Sequence, residues 1–233
     1  FIKYAAAFQG NYQTAIDAAN QLVDLIDPSR YKRGRYQKQV SGICLTNRMF
    51  GRWDKILNNP PIASGTPYLD GIWSYCRGGA LISKGELAAA RLELDKIWQL
   101  ISLNNVDKHR VGPTPVSSIL RLAAHGLSGE IKQASGDVLS AIEDYESAIA
   151  IEDRNAYIEP PDWPQPIRHY LGDALLQVGQ PKKAEEVFRK DLDWHQNNGW
   201  ALFGLWQSLV AQGKSEEAEE TYEKFRHAWR NAD

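Results

Sequence analysis

The chain of 233 residues carries 27 lysines and arginines against 29 aspartates and glutamates, a formal net charge of −2 at pH 7. With 43 % hydrophobic and 24 % charged residues, it has the composition of a chain that builds a core, which excludes disorder as the default. The near-balanced charge offers no broad positive field for neutralising phosphates and argues against a nucleic-acid binder, and no run approaches the roughly 18 apolar residues of a membrane span.

The opening residues Phe1-Ile2-Lys3-Tyr4 read as the end of one helix running into a turn, which predicts an upstream segment before residue 1, either a signal peptide or a further repeat. A soluble, cytoplasmic protein is the expectation. From there a spacing repeats: a glycine is followed five residues later by a small or apolar residue. It occurs as Gly10 with Ala15, Gly51 with Ile56, Gly85 with Ala90, Gly136 with Ala141, Gly179 with Ala184 and Gly213 with Ala218. Six such points predict about six helix-turn-helix units. Beyond each small residue the apolar positions continue in steps of four, three and four, as in Ala15, Ala19, Leu22 and Ile26 or Ala90, Leu94, Ile97 and Ile101, one stripe of a helix. The glycine permits the turn and the alanine a close helix crossing. Neither helix of a unit buries its stripe alone, so the units must stack.

Between the first two of these glycines, Arg30, Lys32, Arg33, Arg35 and Lys38 interleave with Tyr31 and Tyr36. A solvated loop between units accounts for this stretch more simply than an RNA or acidic-protein contact. Cys44 and Cys76 follow, too few and too far apart in sequence for a disulfide framework or a thiolate metal site; they read as two small buried hydrophobes. Turn-forming residues gather at 58–70, 102–114 and 152–165, predicting loops between units rather than domain boundaries, because the repeat resumes after each. The last helix begins acidic (Glu216, Glu217, Glu219, Glu220) and ends basic (Lys224, Arg226, His227, Arg230), which suits its dipole and an outer cap.

The glycine spacings are 41, 34, 51, 43 and 34 residues along the chain, and the last is the tetratricopeptide period. Leu171-Gly172-x2-Leu175 with Ala184-x3-Phe188, then Leu205-Trp206-x2-Leu209 with Ala218-x3-Tyr222, resemble the tetratricopeptide repeat (TPR) family; Trp206 stands where that family prefers glycine. The stretch from Tyr157 through Glu159, Pro160, Pro161, Asp162 and Trp163 to Arg168, with Asp191-Leu192, Asn198-Gly199-Trp200 and Phe50-Gly51-Arg52-Trp53-Asp54, is similar to a group of bacterial TPR proteins with no activity to carry across. The resemblance implies an all-α, TPR-like α-solenoid, a right-handed superhelix forming a single domain over 1–233.

It also implies a concave groove lined by the first helix of each pair, placing Lys38, Arg48, Tyr75, His169, Asp173, Trp200, Phe203 and Gln207 where a peptide or partner protein would bind. The competing reading of Trp200 and Phe203 is packing against the next unit. The carboxylate clamp that some members of the family build from paired lysines and asparagines on successive first helices is not visible: His169 and Asp173 fall where the resemblance would put lysine and asparagine, and Gly204 follows in the next unit, which argues against a chaperone co-factor. The 152–166 loop supplies a second candidate, Glu159, Asp162, Trp163 and Arg168, either a small-ligand or metal-binding site over the groove or a proline-stiffened staple.

No catalytic pattern emerges. A His-Glu-x-x-His pair, a phosphate-binding glycine loop and a nucleophile elbow are all missing, and Ser29-x-x-Lys32 stands without its companion motifs. His109, His125, His169, His195 and His227 are too dispersed to declare a metal site. The expectation is a binding scaffold rather than an enzyme, without cofactor or metal, with a protein or peptide partner or a second copy of itself, and with neither nucleic acid nor membrane insertion.

Overall fold

The computed structural model describes residues 1–156 and 158–233; Tyr157 lies outside them. The described residues form twelve α-helices: α1 (Ile2–Phe8), α2 (Tyr12–Asp24), α3 (Gly34–Met49), α4 (Trp53–Leu57), α5 (Pro67–Ser83), α6 (Leu87–Ile101), α7 (Val116–Ala134), α8 (Val138–Glu152), α9 (Arg168–Gln177), α10 (Pro181–Trp194), α11 (Gly199–Ala211) and α12 (Ser215–Ala228). The only sheet among them is a two-residue antiparallel pair, β1 (Arg110–Val111) with β2 (Thr114–Pro115), in which Val111 faces Thr114. The protein is all-helical, and no helix among the described residues is long and apolar enough to cross a membrane.

Gly10, Gly51, Gly85, Gly136, Gly179 and Gly213 separate α1 from α2, α3 from α4, and so on in pairs to α12, with positive φ from 63° to 90°. A side chain at that φ would be strained, so the turn selects glycine. The alanines that follow, Ala15, Ala90, Ala141, Ala184 and Ala218, are buried. They let the second helix of each pair approach the first closely.

The odd-numbered helices stand side by side where α3 meets α5, α5 meets α7 and α9 meets α11, while α2, α4, α6, α8 and α10 each bridge to the next odd one. One apolar cluster runs from Val40 to Ala218. A second, built on Ala6, Ala7, Ala15 and Met49, gathers Phe8, Phe50 and Trp200. It joins the two ends of the chain: Trp200 Nε1 donates to the Ala7 carbonyl and Trp229 Nε1 to that of Phe8, each at 3.0 Å. Asp233 accepts from the Tyr12 and Gln13 amides at 2.6 and 2.9 Å. The helices therefore form a closed circuit.

Two predicted boundaries shift. The basic stretch is not all loop, because α3 begins at Gly34 and takes in Arg35, Tyr36 and Lys38. Helix α5 begins at Pro67, inside the expected 58–70 connector; the Thr66 hydroxyl caps it through the Leu69 amide, and Pro67 occupies a position where no amide donor is needed.

Candidate functional site

Between α8 and α9, residues 160–163 pack against the rest of the fold. Four prolines between 160 and 166 stiffen this connector. Residues from opposite parts of the fold then hold it. Tyr4 of α1 donates to the Pro161 carbonyl at 2.9 Å. Lys38 of α3 donates to the Pro160 carbonyl and pairs with Asp162 at 3.0 Å. Thr114 of β2 donates to the other Asp162 oxygen. Trp163 is only 6 % exposed and lies against Tyr75 of α5, ring centres 5.0 Å apart. The carboxylate thus spends both oxygens on protein donors, as a buried charge requires. Burial and the neighbouring Lys38 charge hold the Lys3 ammonium down at about 8.

Behind the loop lies a buried ion pair. Arg48 donates to the Tyr75 carbonyl at 3.1 Å and to the Glu130 carboxylate, and its guanidinium sits 3.7 Å from the centre of the Tyr75 ring. Burial opposes the arginine charge more than any one neighbour favours it, but Glu130 together with Tyr75, Tyr170 and Cys76 outweighs burial and keeps Arg48 protonated. On the carboxylate, burial wins over Arg48 and pushes the Glu130 pKa up. Two further groups around this centre, Arg48 Nε and Trp163 Nε1, are buried without a hydrogen-bond partner among the described residues, while the Tyr75 hydroxyl lies close to Arg48 and Tyr170.

A second polar cluster links α9, α10 and the start of α11. Asp191, 1 % exposed, accepts from His195 Nδ1 at 2.9 Å and Asn198 Nδ2 at 2.9 Å and lies 3.2 Å from His169 Nε2. Burial would raise its pKa, but the hydrogen bonds and charges of the two histidines hold it well below the usual carboxylate range. His195 is correspondingly raised: Asp191 outweighs the effect of burial. Twenty-six residues separate the two histidines in sequence, so spacing did not reveal them; the only local signal was the i, i+4 relation of Asp191 to His195. Among the described residues no group of three or more His, Cys, Asp and Glu could hold a metal ion.

Of the eight expected groove residues, five are engaged within the fold. Lys38, Arg48 and Tyr75 hold the loop or its support, His169 meets Asp191, and Trp200 closes the circuit through Ala7. Asp173, Phe203 and Gln207 are exposed. Asp173 accepts from Gln133 at 2.8 Å, and Phe203 stacks at a tilt on Trp206 and Phe225. The loop candidates separate as well. Asp162 and Trp163 point into the protein, Glu159 is exposed, and Arg168 forms a two-pronged pair with Asp153 at 2.8 and 2.9 Å.

Elsewhere, a cavity of about 340 Å³ opens between α2, α3, α5 and the 59–63 segment, lined by Tyr12, Asn47, Lys55, Trp73 and Cys44 among others. The two cysteines are not apart in space: their Sγ atoms are 2.9 Å from each other. Sequence separation misjudged them because α3 and α5 pack side by side. No family model matches the chain, and no curated protein matches it.

Proposed function

We propose that the chain is a TPR-type interaction scaffold, binding rather than catalytic, that takes a peptide or partner protein along the strip Asp173, Phe203 and Gln207. The observation that carries this reading is the partition of the groove positions: only these three present side chains that are not enclosed by the fold. Asp173 and Gln207 are one 34-residue period apart, as are His169 and Phe203, so they occupy equivalent positions on the adjacent helices α9 and α11. A half-exposed aromatic ring one helical turn from an amide, with a carboxylate on the adjacent helix, is a combination that anchors peptides.

The test compares proteins captured from the native lysate by the intact chain and by a Phe203→Ala/Gln207→Ala variant with an unchanged circular-dichroism spectrum. Loss of one specific protein from the variant supports the strip. Identical capture by both, or none by either, overturns it. Substitutions of Tyr75 or Trp200 would not test the strip, because each ring packs against another ring of the fold.

A second reading, a small-ligand module using the 152–166 loop, draws support from Trp163 Nε1 and Arg48 Nε, buried without partners among the described residues, since such groups normally find a ligand or water. It predicts a thermal shift with a small polar compound that Trp163→Phe abolishes.

A further inference from the structure

The two thiols form a site that neither the groove nor the loop uses. Cys44 lies on α3 and Cys76 on α5, and the Cys76 thiol donates to Cys44 Sγ at 2.9 Å. Their exposures differ in a way that assigns roles. Cys76 is fully buried, whereas Cys44 is half-buried and stands in the wall of the 340 Å³ cavity. A reagent entering that cavity meets Cys44 first and finds Cys76 directly behind it. Both sulfurs are free thiols.

We propose that Cys44 and Cys76 are an oxidisable dithiol, a modification site that reacts with a low-molecular-weight disulfide through the cavity and ends as an intramolecular disulfide between α3 and α5. In the first step the Cys44 thiolate attacks one sulfur of the small disulfide; the new S–S bond forms as the reagent's own breaks. The departing thiolate takes up the proton that Cys44 lost. In the second step Cys76 attacks Cys44 Sγ, expels the remaining half of the reagent and gives its proton to that thiolate. Two protein thiols are oxidised, one disulfide is reduced to two thiols, and no other reactant is needed.

The order follows from the surroundings. Cys76 is buried and stands outside the cavity wall that Cys44 lines, and burial pushes its thiol far up, so the sulfur that meets the reagent first is that of Cys44. The raised Cys76 pKa slows the second step as well, but that step is intramolecular at contact distance, an advantage that offsets the small thiolate fraction. The bond would tie α3 to α5 beside the contact of Arg48 with the Tyr75 carbonyl, bracing the support on which Trp163 rests.

The experiment treats the folded chain with cystamine, unfolds it in acid, alkylates with N-ethylmaleimide and reads the intact mass. The intact chain is expected to lose two hydrogens and take up no maleimide. Cys76→Ser should stop at the first step and retain one cysteamine on Cys44, while Cys44→Ser should retain none. Two alkylatable thiols in treated wild-type protein, a stable cysteamine adduct on it, or a disulfide between two chains would each overturn the proposal. The wild-type reading decides the matter even if a variant fails to fold.

Discussion

Arg48 shows how one residue can look like a ligand-binding group and be something else. Its side chain is 1 % exposed and that of Glu130 13 %, so each charge depends on the other. Removing one partner of a buried pair leaves an uncompensated charge, which typically costs about 3–5 kcal/mol, whereas replacing both with apolar residues is often neutral. Arg48→Ala is therefore expected to lower the urea unfolding free energy by about 3–5 kcal/mol, and Arg48→Met with Glu130→Leu to restore most of it. An equal loss in the double variant would show that packing, and not charge, sets the cost. Gly172 makes the complementary point. A Cβ there would meet the Phe188 ring at 2.3 Å, and one at Gly204 would meet the same ring at 2.2 Å. The Leu-Gly pair visible at 171–172 is thus the seat of the aromatic residue sixteen positions later, and that much could be read from the motif.

At the scale of the element, α2 is held from two directions. Asn11 caps it locally, accepting from the Thr14 amide at 2.8 Å. Asp233 caps it from the far end of the chain, taking the Tyr12 and Gln13 amides and placing a negative charge at the positive end of the helix dipole. Asp233→Ala is expected to cost about 0.5–2 kcal/mol, read by urea denaturation, with Asp233→Asn recovering part of it. Amide exchange should quicken in α2 and at Trp229 together; exchange confined to the last turn of α12 would argue that Asp233 does not hold the circuit closed. An asparagine directly ahead of a helical stretch is a local cap signal. The distant cap carries no local signal, since an aspartate after the last helix looks like any polar end. Helix α4 is similar: its five residues stop short of the repeating stripe because Asn58, Asn59, Pro60 and Pro61 follow immediately.

For the whole molecule, stability should depend on pH in two opposite senses. Burial pushes Glu152 up to about 7 from 4.5, although it accepts the Ile167 amide. Between those values the folded chain holds a proton that the unfolded chain has released, so stability falls as pH rises through the window, by up to about 3 kcal/mol. Glu152→Gln should flatten this fall and keep the acceptor for Ile167; an unchanged slope between pH 4.5 and 7 would discard the assignment. The acid side runs the other way. Asp144 is held at about 2, its hydrogen bonds from His125, Lys132 and Ser128 outweighing burial, and Asp191 lies below its ordinary value for the reasons given above. Their contribution is present above about pH 4 and is lost as acid protonates them.

The all-helical character and the six glycine turns were written in local pattern: a turn needs a glycine within a few residues, and a helix shows its buried stripe within three or four turns. Tertiary packing alone decided the rest. It closed the two ends on each other through Trp200, Trp229 and Asp233, and drew the proline-rich connector into the interior against Tyr75. It also set Cys44 beside Cys76 and gathered two distant histidines on Asp191. Most of these contacts join residues far apart along the chain, so no periodicity records them. They exist because helix packing brings elements remote in sequence into contact, and no single segment carries those contacts.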